Sequence, residues 1–255
     1  MPDRLCKLHK EENGIAILTI PGSNVVSARS LLEALQRQIA LIAGNSEIKG
    51  IILIGTADGF CRCSNGNAYS ASEASALSDL GQQVMFNLEK TGKPSFAAIT
   101  GECSGLGLEL ALACDFIIAS DRASFGFPGI AEGSIPFCGG TQRLARLVGK
   151  SKAKEIIYSG ELINAGEAFR IKLINRRYSD DDLLPKTHEL MAHICTRSPN
   201  AIRVGGEVVN AGYDIDLQTA CMLERNAFAL CFSSFDQHEG MQAFLDKRQP
   251  EFRGE

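Results

Sequence analysis

Hydrophobic residues along this chain fall into short unbroken runs separated by longer stretches with a helical period. The runs are "GIAILTI" (14–20), "GIILIG" (50–55), "SFAAIT" (95–100) and "FIIAS" (116–120). The first is bounded by Gly14 and a Pro21–Gly22 turn, which predicts a strand. The others are apolar almost throughout, the pattern of strands covered on both faces. Between the first two, residues 27–44 carry Ser27 as an N-cap, an apolar stripe of Leu31, Leu32, Leu35, Ile39 and Ile42, and Gly44 as a stop. "GLGLELALACD" predicts a second helix before the last run. Strands alternating with helices predict an α/β architecture.

From about residue 180 the pattern changes to successive helical stretches, such as "DLQTACMLERNAFALCF" and "DQHEGMQAFLDKR". The expected organisation is therefore an α/β core over 1–195 and a helical region over 196–255. "SNGNAYSASEASALSD" (64–79) is small and polar and reads as a mobile connection. "FGFPGIAEGSIPFCGGTQRLARLVG" (125–149) reads as a strand end, a Pro- and Gly-rich loop, and a helix with Leu144, Leu147 and Val148 on one face.

Bulk properties narrow the function classes. The length of 255 residues fits one large domain, or a domain with a small appendage. A net charge of −4 gives nucleic-acid binding no electrostatic support. No apolar run is long enough to cross a bilayer. The opening "MPDRLCKLHKEENG" lacks the apolar core of a secretory signal, so the expected compartment is cytoplasmic. Nine scattered cysteines are then expected as reduced, mostly packing thiols. Cys61 and Cys63 stand too close for a C-x-x-C site, and no second ligand pair has zinc spacing, so no metal is expected.

The segment with chemical content is "TGECSGLGLELALACD" (100–115). A Gly-rich turn after a strand opens a helix near Gly105–Leu106. The first amides of that helix have no acceptor within it, and the helix dipole adds partial positive charge. Such a place suits a developing oxyanion. Glu109 lies one turn beyond Leu106, on a face shared with the helix start. A carboxylate beside an oxyanion hole points to acid–base work on a carbonyl compound. The bland alternative is a capped helix with a surface glutamate. Against it, Leu108, Leu110, Ala111 and Leu112 make the helix apolar enough to bury.

"GECSGLGLELALACDFIIASDRASFGFP", "GSIPFCGGTQRLARLVG" and the ending "EGMQAFLDKRQPEFRG" together resemble the enoyl-CoA hydratase/isomerase (crotonase) family. "GTADGFCRCSN" (55–65) partly matches the family's F-C-A-G-A-D loop. The resemblance implies the spiral of β-β-α repeats that crotonases share with Clp-type peptidases. It also implies a C-terminal helical trimerisation region and a homotrimer or dimer of trimers. An acyl-CoA thioester is the implied substrate, with coenzyme A as part of that substrate and no separate cofactor. By motif position, the backbone amides of Ser64 and Leu106 would form the oxyanion hole, and Glu109 would be the first of the family's two catalytic glutamates. Arg62, Cys63, Gly105, Gly129 and Phe137 would line the substrate site, and Arg62 would face a CoA phosphate.

The second glutamate of the family follows the proline of F-G-x-P-E, and here that position is Gly129. Glu132 stands three residues on, where a short helical turn would bring it to the same face. Cys63 replaces a family glycine and adopts φ > 0 less cheaply. Leu106 replaces a smaller residue. The resemblance thus implies an enoyl-CoA hydratase-like lyase of weak or altered activity. Enoyl-CoA isomerase, acyl-CoA hydrolase or decarboxylase, and a catalytically poor acyl-CoA-binding protein are the alternatives. A serine hydrolase using Ser104 is a further one, but "GECSG" is not the G-x-S-x-G elbow.

Overall fold

The computed structural model of the chain describes residues 5–22, 27–56, 59–63 and 69–255. Two sheets share the strands. The larger has order β1 (Lys7–Lys10), β2 (Ile15–Thr19), β3 (Gly50–Ile54), β5 (Ser95–Ile99), β7 (Phe116–Ser120), β10 (Arg176–Tyr178). It is parallel apart from the β1–β2 hairpin. The smaller has order β4 (Phe60–Cys63), β6 (Glu102–Gly105), β8 (Ser124–Gly126), β9 (Ile163–Asn164). Consecutive strands thus part company: β3, β5 and β7 enter the large sheet, while β4, β6 and β8 enter the small one. Helices α2 (Ala71–Glu89) and α3 (Leu106–Leu112) close the first two of these repeats. A 3₁₀ turn (Pro128–Glu132) and α4 (Gly140–Val148) close the third. This is the spiral of β-β-α repeats expected from the sequence.

The apolar runs form strands because both faces of the large sheet are covered. Ile51 and Leu53 of β3 face the main core, where they meet the stripe of α1 (Ala28–Ala43). Ile52 faces the other way, into a smaller core with Leu183 and Met191 of α7 (Asp180–Cys195). Ala97 and Ile99 of β5 alternate with Phe96 and Ala98 in the same way. The period of two along a strand divides one apolar run between two cores. The rings of Phe96 and Phe116 meet edge to face at 5.0 Å on the α7 side.

Ser27 caps α1 by accepting from the Ser30 amide, as the sequence predicts. Residues 71–79 depart from the mobile connection expected over 64–79. Residues 64–68 lie outside the described residues, but from Ala71 the chain is helical. Ser70 and Glu73 form a reciprocal capping box, and Leu77, Val84, Met85 and Leu88 bury one face of α2. Small Ser and Ala residues at the start hid a helix whose apolar stripe emerges only after residue 76.

After α5 (Lys150–Ser159) and α6 (Ala165–Arg170), the C-terminal part is helical: α8 (Pro199–Gly212), α9 (Leu217–Cys231) and α10 (Phe235–Leu245) follow α7. Helices α8 and α9 bury no residue, and Leu217, Phe228, Leu230 and Phe244 are each more than 60% exposed. The tail folds back on α10. Asp236 is buried and accepts from the Ser198 hydroxyl (2.6 Å) and the Arg253 amide (2.7 Å), while Arg248 forks onto Glu239 at 2.6 and 2.8 Å. No described helix is long and apolar enough to cross a membrane.

Candidate active site

Strand β6, read from sequence as part of a turn, ends at Gly105 with φ 55° and ψ −124°. A side chain would be strained there, and glycine is not. Leu106 follows as the first residue of α3, with a buried side chain and an amide that the helix cannot satisfy. Gly107 is where α3 presses on β4: a Cβ would stand 2.6 Å from the Phe60 carbonyl oxygen. Cys63 pairs in register with Gly105, so the residues preceding the two expected oxyanion amides lie side by side. Ser64, and the side chains of Arg62 and Cys63, lie outside the described residues. Within β4 a left-handed backbone occurs at Cys61 (φ 51°), where the register shifts between Phe60 and Cys63.

Glu109 is not a surface glutamate. It is 1% exposed, inside the apolar α3. Its Oε1 accepts from the amides of Cys138 (2.7 Å) and Gly140 (2.8 Å). Burial pushes its pKa up to about 7, against the pull of the Gly140, Cys138 and Phe137 amides and of the Arg143 guanidinium. Desolvation penalises the carboxylate more than the amides reward it. A group poised near neutrality can both take and return a proton at working pH.

The loop 127–140 encloses this carboxylate. A Cβ at Gly140 would lie 2.8 Å from Glu109 Cγ, 2.9 Å from its Oε1 and 3.0 Å from Cζ of Phe127. Glycine at 140 therefore makes room for the carboxylate, and the Phe127 ring arrives at the same spot. Phe127 leads directly into the Pro128–Gly129 turn. Gly129 is half-buried, and a Cβ there would meet one neighbour within 4 Å, Ser134 Cβ at 3.9 Å. Glu132 closes the 3₁₀ turn that Pro128 opens, three residues beyond Gly129, and is exposed. Residues three apart eclipse in a 3₁₀ helix, so the two share a face.

Phe137 packs partly buried against the main core, and its carbonyl accepts from the Ser78 hydroxyl of α2 at 2.6 Å. Arg143 of α4 donates to Glu89 (2.7 Å) and to the Cys138 carbonyl (3.1 Å). Its guanidinium lies 5.2 Å from the Phe86 ring centre. None of Ser78, Cys138, Gly140 or Arg143 was read from sequence as a partner of Glu109. The Gly139–Gly140 pair was the available signal, since a carboxylate occupies the space of the second glycine's side chain. Ser104 donates to Glu102 at 2.7 Å. His188, His193 and His238 bond instead to Glu11, Arg197 and the Ser234 carbonyl, so they offer Ser104 no triad. Among the described residues, no three His, Cys, Asp or Glu side chains group as a metal site.

The family model for enoyl-CoA hydratase/isomerase matches residues 10–255. This chain belongs to the enoyl-CoA hydratase/isomerase family. A crotonyl-CoA hydratase of Syntrophomonas wolfei is 38% identical over 251 residues, 96% of each chain. A short-chain-enoyl-CoA hydratase of Clostridium acetobutylicum is 34% identical over 95% of each. The crystal structure of an enoyl-CoA hydratase from Bacillus anthracis superposes with a TM-score of 0.91 at 30% identity, covering 99% of this chain and all of that one. The crotonase fold is thus established for the whole chain. Leu106 stands one turn before the buried Glu109 in α3, and Phe137 shares a peptide group with the Cys138 amide that holds it.

Proposed function

We propose that this chain adds water to a 2-enoyl-CoA thioester, or eliminates it in reverse, through an oxyanion-stabilised enolate. The observation that carries the reading is Glu109: a buried carboxylate poised near neutrality, held by two amides, one turn from the Leu106 amide that opens α3. In the forward direction Glu109 takes a proton from water as the water oxygen bonds to C3 of the enoyl group. The alkene electron pair moves onto the thioester carbonyl. The resulting enolate oxygen accepts from Leu106 N–H and, by motif position, from Ser64 N–H. Protonation at C2 completes the addition, and coenzyme A stays on the substrate throughout.

A second carboxylate would supply that last proton directly. With Gly129 in its place, the proton returns from Glu109 itself or comes from Glu132, and hydration is slow. One positioned acid–base group is typically worth ~10²–10⁴-fold in rate. Arg62, Cys63, Gly105, Gly129 and Phe137 line the thioester site in this reading. The names of the Syntrophomonas and Clostridium relatives support an enoyl-CoA substrate.

The test is the hydration rate of a short trans-2-enoyl-CoA by wild type, Glu109→Gln, Glu132→Gln and Gly129→Glu. We expect slow turnover by wild type, a loss of about 10²-fold or more in Glu109→Gln, and a gain of about 10²-fold in Gly129→Glu. Fast wild-type turnover that Glu132→Gln abolishes would assign the second role to Glu132. Turnover indifferent to Glu109→Gln would sink the proposal.

A further inference from the structure

The Glu109 carboxylate is held by a peptide that is itself gripped from behind. The Cys138 amide belongs to the same peptide group as the Phe137 carbonyl. Its N–H donates to Glu109 Oε1 at 2.7 Å, and its C=O accepts from the Ser78 hydroxyl at 2.6 Å. Gln82, one turn further along α2, donates to Ser78 Oγ at 3.1 Å and reaches the same carbonyl at 3.5 Å. The Ser78 oxygen thus accepts from one side while its proton points to the other. The links run in one direction: Gln82 amide to Ser78 hydroxyl, to the 137–138 peptide, to Glu109. Each bond polarises the next, so a donor at the carbonyl end makes the amide end a stronger donor.

We propose that Ser78, oriented by Gln82, is a positioning residue that holds Glu109 in place through the 137–138 peptide and restrains its proton affinity. The inference rests on the reading of Glu109 as the acid–base group. Burial drives Glu109 toward the neutral form, and its amide partners are what oppose burial. The Gly140 amide is the other strong donor, but its carbonyl partner is residue 139, outside the reach of Ser78. The Ser78 chain therefore controls one of two bonds to Oε1, and its loss shifts the group without freeing it. Ser78 is half-buried on the loop-facing side of α2, and among the described residues its hydroxyl bonds outside α2 only to the Phe137 carbonyl, so its removal leaves the fold intact.

The experiment reads Glu109 directly, without turnover. The carboxyl carbon of ¹³C-labelled Glu109, assigned by its absence in Glu109→Gln, is titrated in wild type, Ser78→Ala, Ser78→Thr and Gln82→Leu. Ser78→Ala raises the midpoint by about half a unit, Gln82→Leu raises it by less, and Ser78→Thr restores it. In parallel, the acidic limb of kcat/KM for enoyl-CoA hydration moves up by the same amount in Ser78→Ala, with KM little changed. An unchanged midpoint in Ser78→Ala overturns the positioning role. A shifted midpoint without any turnover in wild type leaves the relay standing and overturns the hydratase reading instead.

Discussion

At the scale of single residues, the decisive feature is a carboxylate buried where water cannot stabilise its charge. Glu109 has a pKa raised to about 7 from an unfolded value near 4.5. The folded state therefore binds a proton between these values that the unfolded chain does not. By linkage, stability falls as pH rises through this window, and the penalty is fully developed above the folded pKa. Glu109→Gln keeps an oxygen for the Cys138 and Gly140 amides and removes the buried charge. Thermal unfolding should show the variant gaining on wild type by ~2–3 kcal/mol at pH 8, and by little at pH 4.5. Equal melting curves at both pH values would mean that Glu109 is better solvated than its burial implies. The identity of this residue was legible from the sequence, because a glutamate amid leucines needs a reason. Its amide partners were not, since they lie 29 and 31 residues further along the chain.

At the scale of elements, the site depends on α3 lying hard against β4. Gly107 is the point of closest approach, and an added methyl would meet two carbonyl oxygens, those of Phe60 and Cys61. Backbone atoms do not give way as a flexible side chain does. Gly107→Ala should destabilise by ~1–3 kcal/mol and displace the Leu106 amide, so that activity falls further than stability does. Denaturant unfolding beside a rate measurement checks both halves. The long apolar strands of the large sheet were readable because both faces bury. Strands β4 and β6 of the small sheet were missed, since four residues are too few to display a period, whereas the end of β8 was legible before Pro128. Helix α2 was missed as well, although its S-x-x-E capping box stands in the sequence at Ser70–Glu73.

At the scale of the molecule, the C-terminal helices leave apolar side chains in water. Phe228 and Phe232 pair at 4.9 Å yet stay 64% and 50% exposed, and Leu230 between them is 69% exposed. Large apolar side chains left exposed along a helix are the raw material of an interaction surface. The homotrimer or dimer of trimers expected from the family resemblance would give that surface its partner. Sedimentation equilibrium should return three or six times the chain mass. Phe228→Asp with Leu230→Asp should shift it to monomer, with enoyl-CoA turnover lost if a neighbouring chain completes the site. A wild-type monomer would refute the assignment.

The sequence alone determined the α/β class, the family and the helix start at Gly105–Leu106, and it singled out Glu109 and Gly129 as the positions on which the proposed chemistry turns. These are local matters: hydrophobic period, turn chemistry and motif order are written in consecutive residues. Tertiary structure decided how those residues work. It brought the Cys138 and Gly140 amides onto Glu109, set Ser78 and Arg143 behind that loop, and put the Phe127 ring beside the carboxylate. It also decided Glu109's proton affinity, because desolvation depends on every element packed around a group and on no single stretch of chain.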